Sequence, residues 1–161
     1  MQNVQTSPLR LDRYFFPKVS VTASEEFAAS PRTKVTGHLQ TDVKVAPLGE
    51  GGTAWEVQLT ISFKRGSDEL PVPYYVELLA VGHFSFQPTE AAPKIEDAPA
   101  RVQVTGASIL FSASREFLLG ITARGPFSGF MLPTVSFLPH QVAAAKMPPA
   151  KRTTRKARKA S

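Results

Sequence analysis

Residues 101–137 (RVQVTGASILFSASREFLLGITARGPFSGFMLPTVSF) most constrain the fold, because a helix-spaced apolar segment runs there directly into an apolar loop. Gly125 and Pro126 predict the end of the helix, since Gly tolerates a positive φ and Pro cannot continue a helix. Before that stop, five residues recur at steps of three and four, the spacing of one helical face: Leu110, Ser114, Phe117, Leu118 and Ile121. The segment therefore predicts one long helix whose apolar face lies in a core or a subunit interface.

The loop after this stop carries seven apolar side chains and few polar ones: Phe127, Phe130, Met131, Leu132, Pro133, Val135 and Phe137. Most apolar side chains of a folded protein lie inside it, whereas an apolar patch that stays exposed marks a binding surface. The residues alone leave two interpretations open. The loop either covers the protein's own core or binds an apolar partner.

Alternating patterns predict four strands. Residues 55–64 (WEVQLTISFK) alternate apolar and polar side chains without a break, and residues 73–86 form the second arm of an antiparallel hairpin. Residues 13–22 predict an edge strand, because Pro17 cannot donate to a ladder, and residues 33–45 predict another strand. Strands followed by helix indicate an α+β fold, a four-stranded antiparallel sheet packed with one long helix. Residues 138–146 predict a short second helix.

The basic character of the chain belongs to its C-terminus. The formal net charge is +6, but residues 146–161 hold seven of the 19 Lys and Arg and no acid. The other 12 face 13 acids, so residues 1–145 have a net charge of −1. We expect a flexible N-terminus (1–10), one folded domain (11–146) and a disordered basic tail (147–161). Six tail residues could bind a polyanion: Lys151, Arg152, Arg155, Lys156, Arg158 and Lys159.

Signals for catalysis or a cofactor are missing from the sequence. His38, His83 and His140 lie on different predicted elements, and the chain has no cysteine. There is no P-loop, dinucleotide fingerprint, nucleophile elbow or carboxylate pair. Residues 1–8 resemble no secretory signal, and no run approaches the roughly 18 apolar residues of a membrane helix. We therefore expect a cytoplasmic protein that is not an enzyme, has no cofactor and does not insert into a membrane.

In their order, these segments resemble SecB, the cytosolic export chaperone, over roughly residues 11–142. The similar segments are RYFFPKVSV, WEVQLTISF, YYVELLAVGHFSF and ILFSASREFLLGITARGPFSGFMLPTVSF. The most specific elements are the aromatic-rich first strand, the pair Arg115-Glu116, and the Arg124-Gly125 stop before an apolar loop that ends in Val-x-Phe.

The resemblance implies a homotetramer, built as a dimer of dimers, that holds unfolded or partly folded polypeptides without ATP. Such clients are exported precursors or a dedicated antitoxin-like partner. Residues of the helix face would lie at the oligomer interface: Leu110, Phe117, Leu118 and Ile121. The walls of an apolar client groove would come from the crossover after the first strand and from the loop: Phe27, Phe127, Phe130, Leu132, Val135 and Phe137.

Departures from the family pattern affect the expected docking to a partner ATPase more than the expected client groove. The acidic patch that docks the translocase ATPase SecA corresponds here to Lys18, Thr22 and Glu77, so Glu77 alone keeps an acid. Pro31 stands where the family often has Trp. A competing hypothesis is an oligomeric nucleic-acid-associated protein that binds through its basic tail. A third is a purely structural assembly subunit.

Overall fold

A computed structural model describes residues 7–27, 37–66, 71–87, 96 and 98–139 of the chain. Four strands come first along the sequence: β1 (Leu9–Ala23), β2 (His38–Pro47), β3 (Ala54–Lys64) and β4 (Tyr74–Phe86). One helix, α1 (Ala98–Thr122), follows them. The predicted α+β class is confirmed. The tail and nearly all of the predicted second helix lie outside the described residues, and Leu138 and Pro139, which are described, are not helical.

The four strands form one antiparallel sheet in the order β1-β4-β3-β2. The predicted hairpin is β3 with β4, and the predicted edge strand is β1, so both expectations are confirmed. Register shifts in the β1–β4 pairing flank Asp12 and the pair Phe16-Pro17, where the missing N–H of Pro17 interrupts the ladder. β1 and β2 occupy opposite edges of the sheet.

One face of the sheet is the core. The five apolar residues that alternate along β3 are all buried, from Trp55 at 9% exposure to Ile61 at 0%. Along β4 the residues from Tyr74 to Phe86 at every second position are buried against α1. Full burial of one such side chain contributes about 1.5–3 kcal/mol. The other face of β4 is half-buried apart from Val81, which is 5% exposed beside Phe15 and Gln58 on the neighbouring strands.

Two features of α1 differ from the sequence-based prediction. The helix begins at Ala98 and contains a π-helical segment, Val102–Gly106. A Cβ at Gly106 would lie 3.0 Å from Val57 and 3.3 Å from Phe84, so this Gly permits close helix–sheet packing. The helix ends at Thr122, three residues before Gly125, and Gly125 has no positive φ. The positive φ predicted for Gly125 was therefore wrong.

The buried face of α1 is also rotated slightly from the predicted one. Its buried residues in the last four turns are Ala107, Leu110, Phe111, Ser114, Leu118 and Thr122. Ile121 is 37% exposed. By length and composition α1 could cross a membrane, with a mean hydropathy of 1.2 over its best window, so the statement that no run approaches a membrane span was wrong. Its buried face packs on the sheet.

Candidate functional site

The apolar loop folds back along α1. We call residues 123–138 the aromatic loop. Arg115 Nε donates a 2.9 Å hydrogen bond to the carbonyl oxygen of Leu132, and the ring of Phe137 lies edge-on to Phe111, 5.8 Å away. The loop thus runs antiparallel to α1, so that its later residues contact earlier residues of the helix. Because Phe130 also contacts Phe63, which pairs with Leu39 of β2, the loop covers the β2–β3 half of the core face.

Two of the six predicted groove residues are enclosed by the protein itself. Phe130 is 8% exposed and its ring lies 4.8 Å from that of Phe63. Leu132 is 1% exposed. For these two side chains the structure supports the core-covering interpretation, because little of their surface remains for a partner.

The other four predicted groove residues keep part of their surface accessible: Phe27, Phe127, Val135 and Phe137. Phe27 and Phe127 contact each other edge to face, with ring centroids 5.0 Å apart. The segment after β1 and the aromatic loop therefore meet at this point. Phe127 also lies 5.7 Å from the ring of Tyr74, whereas Phe137 lies further along the loop, beside the middle of α1.

A cavity of about 360 Å³ lies where the end of the aromatic loop passes the edge strand β2. Its lining mixes apolar side chains with hydroxyl, amide and carboxylate groups: Thr41, Asp42, Val43, Gln103, Ser136, Phe137 and Leu138. Only Phe137 was predicted from the sequence as a site residue. The β2 residues and Gln103 were missed because nothing local shows that this strand lies beside the loop. The volume of this cavity lies near the lower end of the range for ligand sites in proteins.

The four residues predicted at an oligomer interface have different surroundings. Leu110 and Leu118 are 0% exposed in the core of the single chain. Phe117 is half-buried and stacks on Phe16 of β1, with ring centroids 4.4 Å apart and an interplanar angle of 20°. Ile121 stays exposed. The exposed apolar residues of β1 (Tyr14, Phe15 and Val19) were not predicted as interface residues.

Glu77, the predicted docking acid, lies on the outer face of the sheet between two lysines. Its carboxylate oxygens accept 3.0 Å contacts from Lys18 Nζ and Lys64 Nζ. Hydrogen bonds from these two lysines, that from Lys18 first, hold the pKa of Glu77 below its ordinary value. The cluster has a net positive charge, so it presents no acidic patch.

A second polar group lies on the same face around His83. Arg13 Nε donates to His83 Nδ1 at 3.1 Å, and His83 Nε2 lies 3.2 Å from a carboxylate oxygen of Glu56. Each polar atom of the imidazole is thus engaged within the sheet. Among the residues that the structure describes, no three His, Asp or Glu side chains cluster closely enough to hold a metal ion.

Comparisons with known proteins agree with the geometry at the level of the fold. No protein-family model matches the sequence, and no curated protein sequence is similar to it. Among solved structures, the chain is similar to the Mycobacterium tuberculosis SecB-like chaperone Rv1957, determined in complex with a ChAD peptide from the Rv1956 HigA1 antitoxin. The TM-score is 0.60 at 16% identity, over 80% of this chain and 91% of that chain.

A protein of unknown function from Streptococcus agalactiae has a TM-score of 0.40 at 12% identity, over 78% of this chain and 97% of that chain. That score is too low to establish a shared fold. The similarity to Rv1957 confirms the structural part of the resemblance: the chain has a SecB-like fold.

Proposed function

We propose that the protein is an ATP-independent chaperone that holds unfolded or partly folded polypeptides. The observation that carries this proposal is the row of accessible apolar side chains from Phe27 and Phe127 to Phe137, which ends at the cavity beside β2. The solved neighbour Rv1957 has a peptide bound to it, which supports peptide binding on this fold.

The chemistry of the row suits clients of varied sequence. Burial of apolar area stabilises a complex by roughly 25 cal/mol per Å² without requiring particular hydrogen bonds. The edge strand β2 lies along the cavity and offers backbone groups to an extended chain, a recognised mode of peptide binding. Short-lived apolar contacts of this kind delay aggregation while the client awaits folding or transfer.

The assembly that we propose is a cytoplasmic homotetramer, a dimer of dimers. Supporting it are the exposed side chains of Tyr14, Phe15 and Val19 on an edge strand and of Ile121 on α1. Tyr14 and Val19 lie on the helix side of the sheet, whereas Phe15 lies on the outer side. Measurement of the mass in solution tests this part of the proposal, and a monomer would contradict it.

Among partners, we favour non-native polypeptides, either exported precursors or a dedicated antitoxin-like protein, over docking to SecA. The support is the neutralisation of Glu77 by Lys18 and Lys64, because a docking patch that attracts a basic partner needs an uncompensated acid. Client holding and translocase docking are thus separable in this chain.

The decisive experiment measures suppression of client aggregation by the double variant Phe127→Ser/Phe137→Ser. Both rings are partly accessible, so we expect most of the suppression to be lost. Leu48→Ser is the matched control, because Leu48 is 39% exposed, follows β2 and does not line the cavity. Thermal melting must show that the double variant is folded at the assay temperature. Full suppression by a folded double variant would exclude the aromatic loop as the client site.

A further inference from the structure

Two buried hydroxyl groups connect the aromatic loop to the core. Thr122, the last residue of α1, is 1% exposed, and Tyr74, the first residue of β4, is 2% exposed. Thr122 Oγ1 donates to the carbonyl oxygen of Leu118 at 2.7 Å and accepts a hydrogen bond from the backbone N–H of Phe130 at 2.8 Å. One side chain thus joins the end of the helix to the middle of the loop.

The Tyr74 hydroxyl contacts the loop at the position of a groove ring. It accepts a hydrogen bond from the N–H of Phe127 at 3.2 Å. It lies 3.1 Å from the carbonyl oxygens of both Thr122 and Phe127 and donates its single hydrogen to them. Both backbone polar groups of Phe127 are therefore held by one hydroxyl, while its ring contacts Tyr74 and Phe27.

Gly125 is the third part of this arrangement. A Cβ at this position would collide with the Tyr74 hydroxyl and lie 3.2 Å from the carbonyl oxygen of Thr122. The absence of a side chain lets the backbone pass close enough for the Tyr74 contacts to form. This close approach explains Gly125 physically, since its φ is not positive.

We propose that Tyr74 and Thr122 are positioning residues for client binding, an inference that rests on the proposed function. The residues of the aromatic loop belong to no helix or strand, so no regular backbone ladder fixes them. Its hydrogen bonds to Tyr74, Thr122 and Arg115 replace that support, so the half-buried rings keep one position without contacting the client through these hydroxyls. A binding wall held in place beforehand loses less conformational freedom when a client binds.

The test compares Thr122→Val and Tyr74→Phe with Thr122→Ser in the full-length chain. The first two variants keep the side-chain shape and remove the hydroxyl, whereas Thr122→Ser retains it. Ser114→Ala is the matched control, because Ser114 is a fully buried hydroxyl of α1 whose only hydrogen bond given by the structure is to Leu110 within the helix. Two quantities are measured: amide hydrogen exchange at Phe127 and Phe130, and affinity for a reduced, unfolded client such as carboxymethylated α-lactalbumin.

We expect exchange at the affected amides to accelerate and client affinity to fall, each by about tenfold, as follows from the loss of one buried hydrogen bond. Thr122→Val should affect Phe130, Tyr74→Phe should affect Phe127, and Thr122→Ser and Ser114→Ala should match the parent in both measurements.

Unchanged exchange in Thr122→Val and Tyr74→Phe would overturn the role of the hydroxyls in holding the loop. Faster exchange with unchanged affinity would overturn their role in client binding. A parent protein that binds no unfolded client overturns the proposed function and with it the positioning role. The exchange measurement distinguishes that case, because it needs no client.

Discussion

Phe130 and Phe137 lie seven residues apart on the aromatic loop, and we predict that truncating them has opposite consequences. Phe130 is 8% exposed, and its ring packs on Phe63 at 4.8 Å and Tyr74 at 6.3 Å. Truncation of a ring so enclosed costs about 3–5 kcal/mol of unfolding free energy. In a chain of this size 1 kcal/mol shifts the Tm by about 2–4 °C, so Phe130→Ala should lower the Tm by roughly 10 °C.

Among the described residues, Phe137 has one aromatic contact, Phe111 at 5.8 Å, and its side chain lines the cavity. Because part of the ring is already in water, Phe137→Ala should cost less than Phe130→Ala, about 2 kcal/mol. It should nevertheless lose client holding, whereas Phe130→Ala should retain it when both are assayed below the lower of the two Tm values. Differential scanning calorimetry and an aggregation-suppression assay measure the two effects.

The reverse ranking would refute the reasoning. If Phe137→Ala lowers the Tm more than Phe130→Ala, the burial pattern of the loop differs from the one described. If Phe130→Ala loses client holding as severely as Phe137→Ala while folded, the enclosed rings contribute to binding and the separation of core and groove fails.

The remaining predictions concern the helix, the outer face and the tail. Gly120 lies inside α1, and a Cβ there would meet no atom of the described residues within 4 Å, so Gly120→Ala should stabilise the protomer by up to about 1 kcal/mol in chemical denaturation. Gly120→Leu should lower the mass in solution if helices of neighbouring subunits pack at this point, and an unchanged mass would contradict such packing. Glu77→Gln should reduce thermal stability slightly at neutral pH, because the pKa of Glu77 is lowered by its lysine partners. The difference in stability between the parent protein and Glu77→Gln should have its full size above the ordinary carboxyl pKa of 4.5 and shrink as the pH falls through the lowered pKa. Added salt should also reduce this difference. A difference that grows in acid would show that the ion pairs are not its cause. Deletion of residues 147–161 should abolish salt-sensitive retention on DNA or RNA without changing client holding; loss of holding would assign that activity to the tail.

The sheet and the presence of a long helix could be predicted from the sequence because their signals are local. Side chains on a strand alternate between its faces, so the pattern of β3 identifies its buried side whatever packs on it. Pro17 likewise indicates an edge, because a missing N–H has the same consequence in any sheet. The helix boundaries were predicted less well. The π-helical segment near the start of the helix lies against Val57 and Phe84 through Gly106, and contacts with residues so distant in sequence leave no local signal.

The composition of the aromatic loop by itself determined that an apolar surface follows the helix, since side chains of this kind must be buried by the protein or by a partner. Only the tertiary structure decided which of these rings are buried in the protein's own core and which stay accessible. Phe130 is enclosed because Phe63 and Tyr74, from strands more than 50 residues earlier, pack against it, whereas Phe127 and Phe137 stay partly exposed. Burial depends on contacts between distant segments, and β2 forms a wall of the cavity for the same reason.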